Sequence, residues 1–361
     1  MELEQISLDL VGSELAEDIF SDQGILLLKK GTVLNETHIL LLQNYRFGER
    51  ISVDLSSREP SVDPRKSPTA KPYKSFQSQV KEAFRRLVNG QTVDLADIRG
   101  TYKLLVTLSL QDLAILPVIQ KEINKSEYLF QHSVNSGIIA AMIGKLLGFS
   151  RNECYLLAEM GLFHDIGMLK VDEELYDNEL PLTKSEFEQI QKHTEYGCEI
   201  LSVIPELDPI ITQTALYHHE RLNGTGYPNQ IKQGDIPFYI QIISVADCFN
   251  AMSMKRNYGE KKNHFNGVYE LIDQTHKNYL NPAIVVPFVG YIMRQHLHQE
   301  VMLSNGKVGE IVFIHENEPH QPLVRVEDEY FDLRERVSLR IVGVADDKDA
   351  QEVSDELSSV H

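Results

Sequence analysis

The chain has 361 residues, with 35 basic side chains against 53 acidic ones and a formal charge of −18. Apolar residues make up 42% and charged residues 24%, so a core can form and global disorder is excluded. The acidity also excludes a coat for polymeric nucleic acid or for an anionic membrane, because both need a basic face; one locally inverted site could still take a small anion.

At roughly 100–200 residues per domain, this length suggests two or three domains. Met1-Glu2-Leu3-Glu4 has no basic flank leading into an apolar run, so no secretory signal is read. The most apolar long stretch, Gly137–Phe149, is shorter than about 18 residues and carries Lys145, so no membrane span is expected. Cys154, Cys198 and Cys248 are odd in number and far apart. They are not a disulfide framework, and a reduced cytoplasm is the expected compartment.

Residues 1–55 read as a small α+β module. Gly24–Leu28 is a strand ending at the turn Lys29-Lys30-Gly31, Asn35 can cap a helix through Ile39–Tyr45, and Arg50–Leu55 is a returning strand. His38 reads as a surface residue. Residues 56–75 carry Pro60, Pro64, Pro68 and Pro72 among Ser, Lys and Arg, the composition of a semi-extended linker. Residues 76–300 are dominated by helical periodicity. Residues 301–343 then show short strand-like runs at Val301–Leu303, Lys307–Ile314, Leu323–Val326 and Ser338–Val342, with Asn305-Gly306 as a hairpin turn. Residues 344–361 are acidic and are expected to stay disordered.

Within the helical region, five stripes each place a His or an Asp among apolar residues. They are Tyr128-His132-Asn135-Ile139-Met142, Leu157-Met160-His164, Phe187-Ile190-His193, Ile211-Ala215-His218 and Ile240-Ile243-Asp247. Thr183 with Glu186 forms a capping box that starts the third helix. A single His on an apolar face is usually a hydrogen-bonded core residue. A buried carboxylate is costlier and is normally paired or bound to metal. Together with Asp165 and His219, the set offers five imidazoles and two carboxylates, enough for a dinuclear centre inside a bundle. Adjacent residues on a helix point about 100° apart, so His164 and Asp165 cannot aim alike on a regular helix. Two nearby cations resolve this, with Asp165 bridging both. His218 and His219 can flank one ion if their helix ends there. The following segment, Glu220-Arg221-Leu222-Asn223-Gly224-Thr225-Gly226-Tyr227-Pro228, has the glycines and proline of such an ending.

These motifs resemble those of the HD-GYP family, the bacterial cyclic di-GMP phosphodiesterase branch of the HD phosphohydrolases. The resemblance covers roughly Phe130–Phe288. It rests on His164-Asp165-Ile166-Gly167, on His193 in a Lys-His-x-x-x-Gly setting, and on His218-His219-Glu220 leading to Gly226-Tyr227-Pro228; Val245-Ala246-Asp247 and Arg256 with Tyr258 extend it. It implies a mainly α fold, an HD-type helical bundle with a small N-terminal α+β module and a small C-terminal β-domain. It also implies a partition of ligands. One metal is expected on His132, His164, Asp165 and Asp247, the other on His193, His218, His219 and the shared Asp165. Iron or manganese is expected, with zinc as an alternative. The implied activity is hydrolysis of a 3′,5′-phosphodiester of cyclic di-GMP by a metal-bridging hydroxide, since metal binding can lower the pKa of water from 15.7 to about 7. Asp165, His193 and Asn250 are the implied catalytic positions. Arg256, Tyr227, Gly226 and Met168 are the implied substrate contacts. The family also suggests contact with a cyclic di-GMP synthase through the Gly-Tyr-Pro loop, and a homodimer stays open.

Four positions depart from the family's fuller pattern. Tyr128 stands where trinuclear members place Glu, so two metals are expected. Met168 replaces a phosphate-contacting Lys, Asn250 replaces a common Asp, and Gly259 replaces a frequent basic residue. One lost charge-assisted contact is worth about 1.5–3 kcal/mol. Two further readings therefore stay open: a metal-bound but catalytically weak cyclic di-GMP sensor, and a hydrolase of another cyclic dinucleotide.

Overall fold

The computed structural model describes residues 2–6, 10, 13–20, 26–34, 38–39, 42, 50–54, 70–111, 127–176, 182–253, 264–336 and 338–345. Outside these lie Asn35 and most of its expected helix, the prolines at 60, 64 and 68, residues 346–361 of the expected acidic tail, and Arg256, Tyr258 and Gly259; Val344, expected in that tail, instead ends a strand. The chain divides into two compact units, one over Met1–Lys71 with Gln111–Val118 and the other over Pro72–Leu110 with Ile119–His361.

In the first unit, β1 (Glu2–Gln5), β5 (Arg50–Asp54) and β2 (Glu14–Leu15) form one antiparallel sheet, and β3 (Ile19–Phe20) pairs with β4 (Leu26–Leu28). Gly31 takes φ +82° at the turn after β4, a conformation that favours glycine. Leu15, Leu34, Ile39, Leu42, Ile51 and Val53 form the core of this unit.

The second unit opens with α1 (Ala70–Val88), which starts inside the stretch read as linker; Pro72 sits in its first turn, where a missing N–H is tolerated. Next come α2 (Leu95–Gln111), α3 (Tyr128–Leu146) and α4 (Arg151–Phe163). The expected stripe on α3 is only part of its buried surface. Every residue from Leu129 to Gly144 is buried, because α3 is the central helix. Gly137 and Gly161 let α3 and α4 cross closely: a Cβ on Gly161 would lie 2.6 Å from the Gly137 Cα. Ser150 starts α4 with a complete capping box, its side chain accepting from the Glu153 N–H while Glu153 accepts from the Ser150 N–H. Ser150→Ala should therefore lower stability by about 1 kcal/mol, read as a shifted urea midpoint at unchanged slope.

A 3₁₀ turn (Ile166–Lys170) follows, then α5 (Glu173–Tyr176), α6 (Lys184–Gln191), α7 (His193–Ser202), α8 (Pro209–Tyr217), α9 (Phe238–Ser253), α10 (His264–His276) and α11 (Pro282–Arg294). Thr183 and Glu186 form the expected capping box of α6. His193 is not on that helix, contrary to expectation. The chain breaks at Lys192, and His193 is the first residue of α7. Phe187 is 45% exposed, so the α6 stripe does not face the core, whereas α7 turns His193, Ile200 and Leu201 inward.

The C-terminal sheet runs β10-β6-β7-β8-β9 through β6 (Glu300–Leu303), β7 (Val308–Phe313), β8 (Leu323–Val326), β9 (Glu329–Asp332) and β10 (Ile341–Val344). Gly306, at φ +79°, closes the expected β6–β7 hairpin. Strand β9 was not expected, because its turn uses Glu327 at φ +54° instead of a glycine or asparagine. The sheet is tied to α10 by the Ile341 N–H donating to the Tyr269 hydroxyl at 2.9 Å.

Candidate metal centre

Three helix ends and two helix interiors bring the expected ligands together. His132 lies in the second turn of α3, and Asp247 lies within α9. His164 caps the C-terminus of α4, so Asp165 is already outside the helix and both side chains can aim at one centre. His193 opens α7, His218 caps the end of α8, and His219 follows it. The 3₁₀ turn approaches α7 so closely that a Cβ on Gly167 would lie 1.9 Å from the His193 carbonyl oxygen and 2.5 Å from the Gly197 nitrogen.

Asp165 is central. Its Oδ1 lies 3.3 Å from His193 Nε2 and 3.4 Å from His218 Nε2. Its Oδ2 lies 3.6 Å from His164 Nε2 and 3.8 Å from His132 Nε2. Asp247 Oδ1 is 2.9 Å from His132 Nε2 and 3.7 Å from His164 Nε2. The ligating atoms of Asp165, His193, His218 and His219 all fall within 4.8 Å of one another, as do those of His132, His164 and Asp165.

The partners of the ring nitrogens show what this cluster needs. Carbonyl oxygens only accept, so a ring nitrogen facing one must donate. His164 Nδ1 donates to the Gly161 carbonyl at 2.7 Å, and His193 Nδ1 to that of Ile190 at 2.7 Å. His218 Nδ1 faces the carbonyls of Thr214 and Ala215 at 3.0 and 3.1 Å. In its neutral form each of these rings presents a bare Nε2 lone pair inward. The Nε2 atoms of His193 and His218 lie 3.3 Å apart, and both face Asp165 Oδ1. Three acceptors converging without a donor repel one another unless a cation sits among them. His164 Nε2 and Asp165 Oδ1 are buried without a hydrogen-bond partner, which is the same signature. The donor set fits divalent cations.

Electrostatics divide the rings. Burial opposes charge on His164, yet the Asp165 and Asp247 carboxylates outweigh it and push the imidazolium up to about 9. Burial also opposes the charge of Asp165 and Asp247, but the surrounding imidazoles hold both carboxyls well below their ordinary range. Burial, reinforced by His218 and His164 against the pull of Asp165, holds His193 down at about 4. Burial with neighbouring His218 and His193 likewise holds His219 well below 6.5.

Two pH limbs follow for the metal-free protein. His164 is raised from 6.5, so its stabilisation is full below 6.5 and is lost as pH rises through about 9. His193 is lowered from 6.5, so stability falls as pH drops from 6.5 toward about 4, where the unfolded chain takes a proton that the folded ring refuses. A divalent cation held there would take the place of the His164 proton and should flatten the alkaline limb. Thermal unfolding over this pH range, with and without chelator, checks it.

Around the ligands, Tyr227 stacks on His219 with ring centroids 4.7 Å apart and stands edge-on to His193 at 6.3 Å. Burial pushes its hydroxyl pKa up. Gly226 lies where the loop doubles back, and a Cβ there would come 2.5 Å from backbone atoms of His219, Glu220 and Arg221. Two neighbours outside the ligand set also shape the site. Glu220 is buried and accepts the Asn229 N–H at 2.7 Å, tying down the loop after Tyr227. Arg221 donates from Nη1 to the carbonyls of His218 and Glu220, at 3.1 and 3.0 Å. Their place directly after His218-His219 was the available signal. Met168 is half-buried in the 3₁₀ turn. Lys170 does not substitute for a lysine there: it pairs with Glu199 at 3.6 Å and lies over the Tyr196 ring, both on α7. Asn250 is buried behind His132, and its amide nitrogen donates to the His132 carbonyl at 2.9 Å. Arg256 lies outside the described residues.

Comparison with known proteins points the same way. Residues 117–284 match the HD domain family model. The cyclic di-GMP phosphodiesterase PdeB of Borreliella burgdorferi is 28% identical over 199 residues, covering 55% of this chain and 52% of that protein. A 3′3′-cGAMP-specific phosphodiesterase 3 of Vibrio cholerae is 35% identical over 136 residues, covering 37% of this chain and 29% of that protein. Among solved structures, Bd1817, a HDG"Y"P protein from Bdellovibrio bacteriovorus, matches with a TM-score of 0.53 at 13% identity, over 80% of this chain and 98% of that one. At that identity the likeness speaks for the fold. The chain spans about half the length of the first curated relatives it matches. No helix among the described residues is long and apolar enough to cross a membrane.

Proposed function

From a chain that carries an HD domain of the HD-GYP type, we propose a metal-dependent cyclic dinucleotide phosphodiesterase with cyclic di-GMP as its substrate. The observation that carries this reading is the convergence of the His193 and His218 Nε2 atoms on the shared carboxylate of Asp165. One divalent cation would be held by Asp165, His193, His218 and His219, and a second by His164, Asp165 and Asp247 on the His132 side. Mixed imidazole and carboxylate donors suit iron or manganese and also admit zinc. Such a pair supplies Lewis-acid polarisation of the phosphodiester and an activated water. The chain's own part is to fix the lone pairs toward the centre, to wall the site with Tyr227 against His219, and to place Arg221 beside it. A synthase would meet the loop around Gly226 and Tyr227, where Thr225 is exposed.

The experiment is reconstitution of metal-free protein with iron, manganese or zinc, followed by metal counting and separation of products from cyclic di-GMP. Two cations per chain with linear dinucleotide or GMP as product is the expected result. Loaded protein that cleaves no cyclic dinucleotide would overturn the enzyme; cleavage of cGAMP alone would move the substrate. The sensor reading has one specific support, the uncharged Met168 in the 3₁₀ turn. Under that reading cyclic di-GMP binds without turnover, and Met168→Lys raises affinity or rate by roughly 10-fold or more.

A further inference from the structure

The five imidazoles of the centre are not set alike. His164, His193 and His218 each donate Nδ1–H to a backbone carbonyl, which leaves Nε2 bare for a cation. Among the described residues, no carbonyl contact of that kind is found at His132 Nδ1. Its neighbour is the Asn250 amide nitrogen at 3.0 Å. That amide cannot be turned over, because the same nitrogen lies 2.9 Å from the His132 carbonyl oxygen, and exchanging Oδ1 into its place would set two acceptors against each other. It also lies 2.9 Å from Ser136 Oγ. An N–H group facing Nδ1 at 3.0 Å is favourable only if Nδ1 is the acceptor, and the proton of the neutral ring is then on Nε2. That nitrogen faces Asp247 Oδ1 at 2.9 Å, a proper donor–acceptor distance. Both ends of the ring therefore demand the same tautomer. His132 is 3% exposed and Asn250 2%, so the contact is closed to solvent.

We infer that His132 is a positioning residue and not a cation ligand in this chain: Asn250 fixes the tautomer that donates Nε2–H to Asp247. This rests on the reading of the cluster as a cation centre. The position among His164, Asp165 and Asp247 then has three protein ligands, whereas its neighbour has three imidazoles and Asp165. The two positions fill unequally, the His193 side first. To recruit His132, a cation would have to move the proton to Nδ1 and press it against an amide donor.

The test uses the full chain, metal-free, with ¹⁵N-labelled histidine; His132→Gln assigns the signal. Nitrogen NMR reports which ring nitrogen of His132 carries the proton, and the expected result is Nε2. Manganese titration should then show two affinities separated by about 10-fold or more, the usual weight of a ligand's outer hydrogen bond. Asn250→Asp supplies an acceptor for Nδ1–H, frees Nε2, and should narrow that gap by a similar factor. A proton on Nδ1 in the unmodified protein overturns the inference, as do equal affinities that Asn250→Asp leaves unchanged. If no cation binds at all, the phosphodiesterase reading fails, while the NMR result still decides the tautomer. If Asn250→Asp does not fold, the measurement on the unmodified protein is sufficient.

Discussion

Asp165→Ala should empty both cation positions at once, with affinity falling by at least about 100-fold at each. The carboxylate uses one oxygen for each side. Oδ1 meets His193 and His218 at 3.3 and 3.4 Å, and Oδ2 meets His164 at 3.6 Å. Removing it also leaves bare imidazole nitrogens 3.3 Å apart with no anion to hold a cation between them. A ligand that serves one side behaves differently. His219→Ala should weaken only the position it shares with His193 and His218. Metal counting and calorimetric titration of both variants separate the cases, and two cations retained in Asp165→Ala would refute the bridging role. Product formation from cyclic di-GMP should vanish in parallel.

Gly167→Ala should be the most damaging single methyl group in the chain's centre. Its Cβ would fall 1.9 Å from one backbone atom of α7 and 2.5 Å from another. Backbone cannot swing aside as a side chain can, so the 3₁₀ turn and α7 must separate. Overpacking of this kind costs about 3 kcal/mol or more. The displaced start of α7 is His193 itself, so cation affinity should fall together with stability. Gly197→Ala is the matched control. There the nearest atom is the Ala215 Cβ at 3.1 Å, a contact that a few tenths of an ångström relieve. Urea midpoints and manganese affinities for the two variants check the contrast, and native-like values for Gly167→Ala would contradict the close approach.

Much of this centre was legible as spacing along the chain. The capping box of α6 depends on residues three apart, and the Asn305-Gly306 hairpin on two neighbours, so local sequence determined them. The His-Asp pair, the His-His pair and Asp247 were readable as a donor set because buried carboxylates among imidazoles have few other uses. The reading failed where an element's fate depended on distant surfaces. Phe187, Ile190 and His193 keep helical spacing, but the core lies under α7 and not under α6, so the helix breaks between them. The turn before β9 has no glycine to announce it.

By itself, then, the sequence marked which residues carry donors suited to cations and that the region is a helical bundle. Only the tertiary structure decided how each donor is protonated and aimed. His164 and His193 take their Nδ1 partners from carbonyls three residues away, yet no residue type marks those carbonyls, since every residue has one. Asn250 and His132 stand 118 residues apart, and their contact exists only because α9 packs against α3. A ring's tautomer is set by whatever faces its far nitrogen, and that neighbour is supplied by packing.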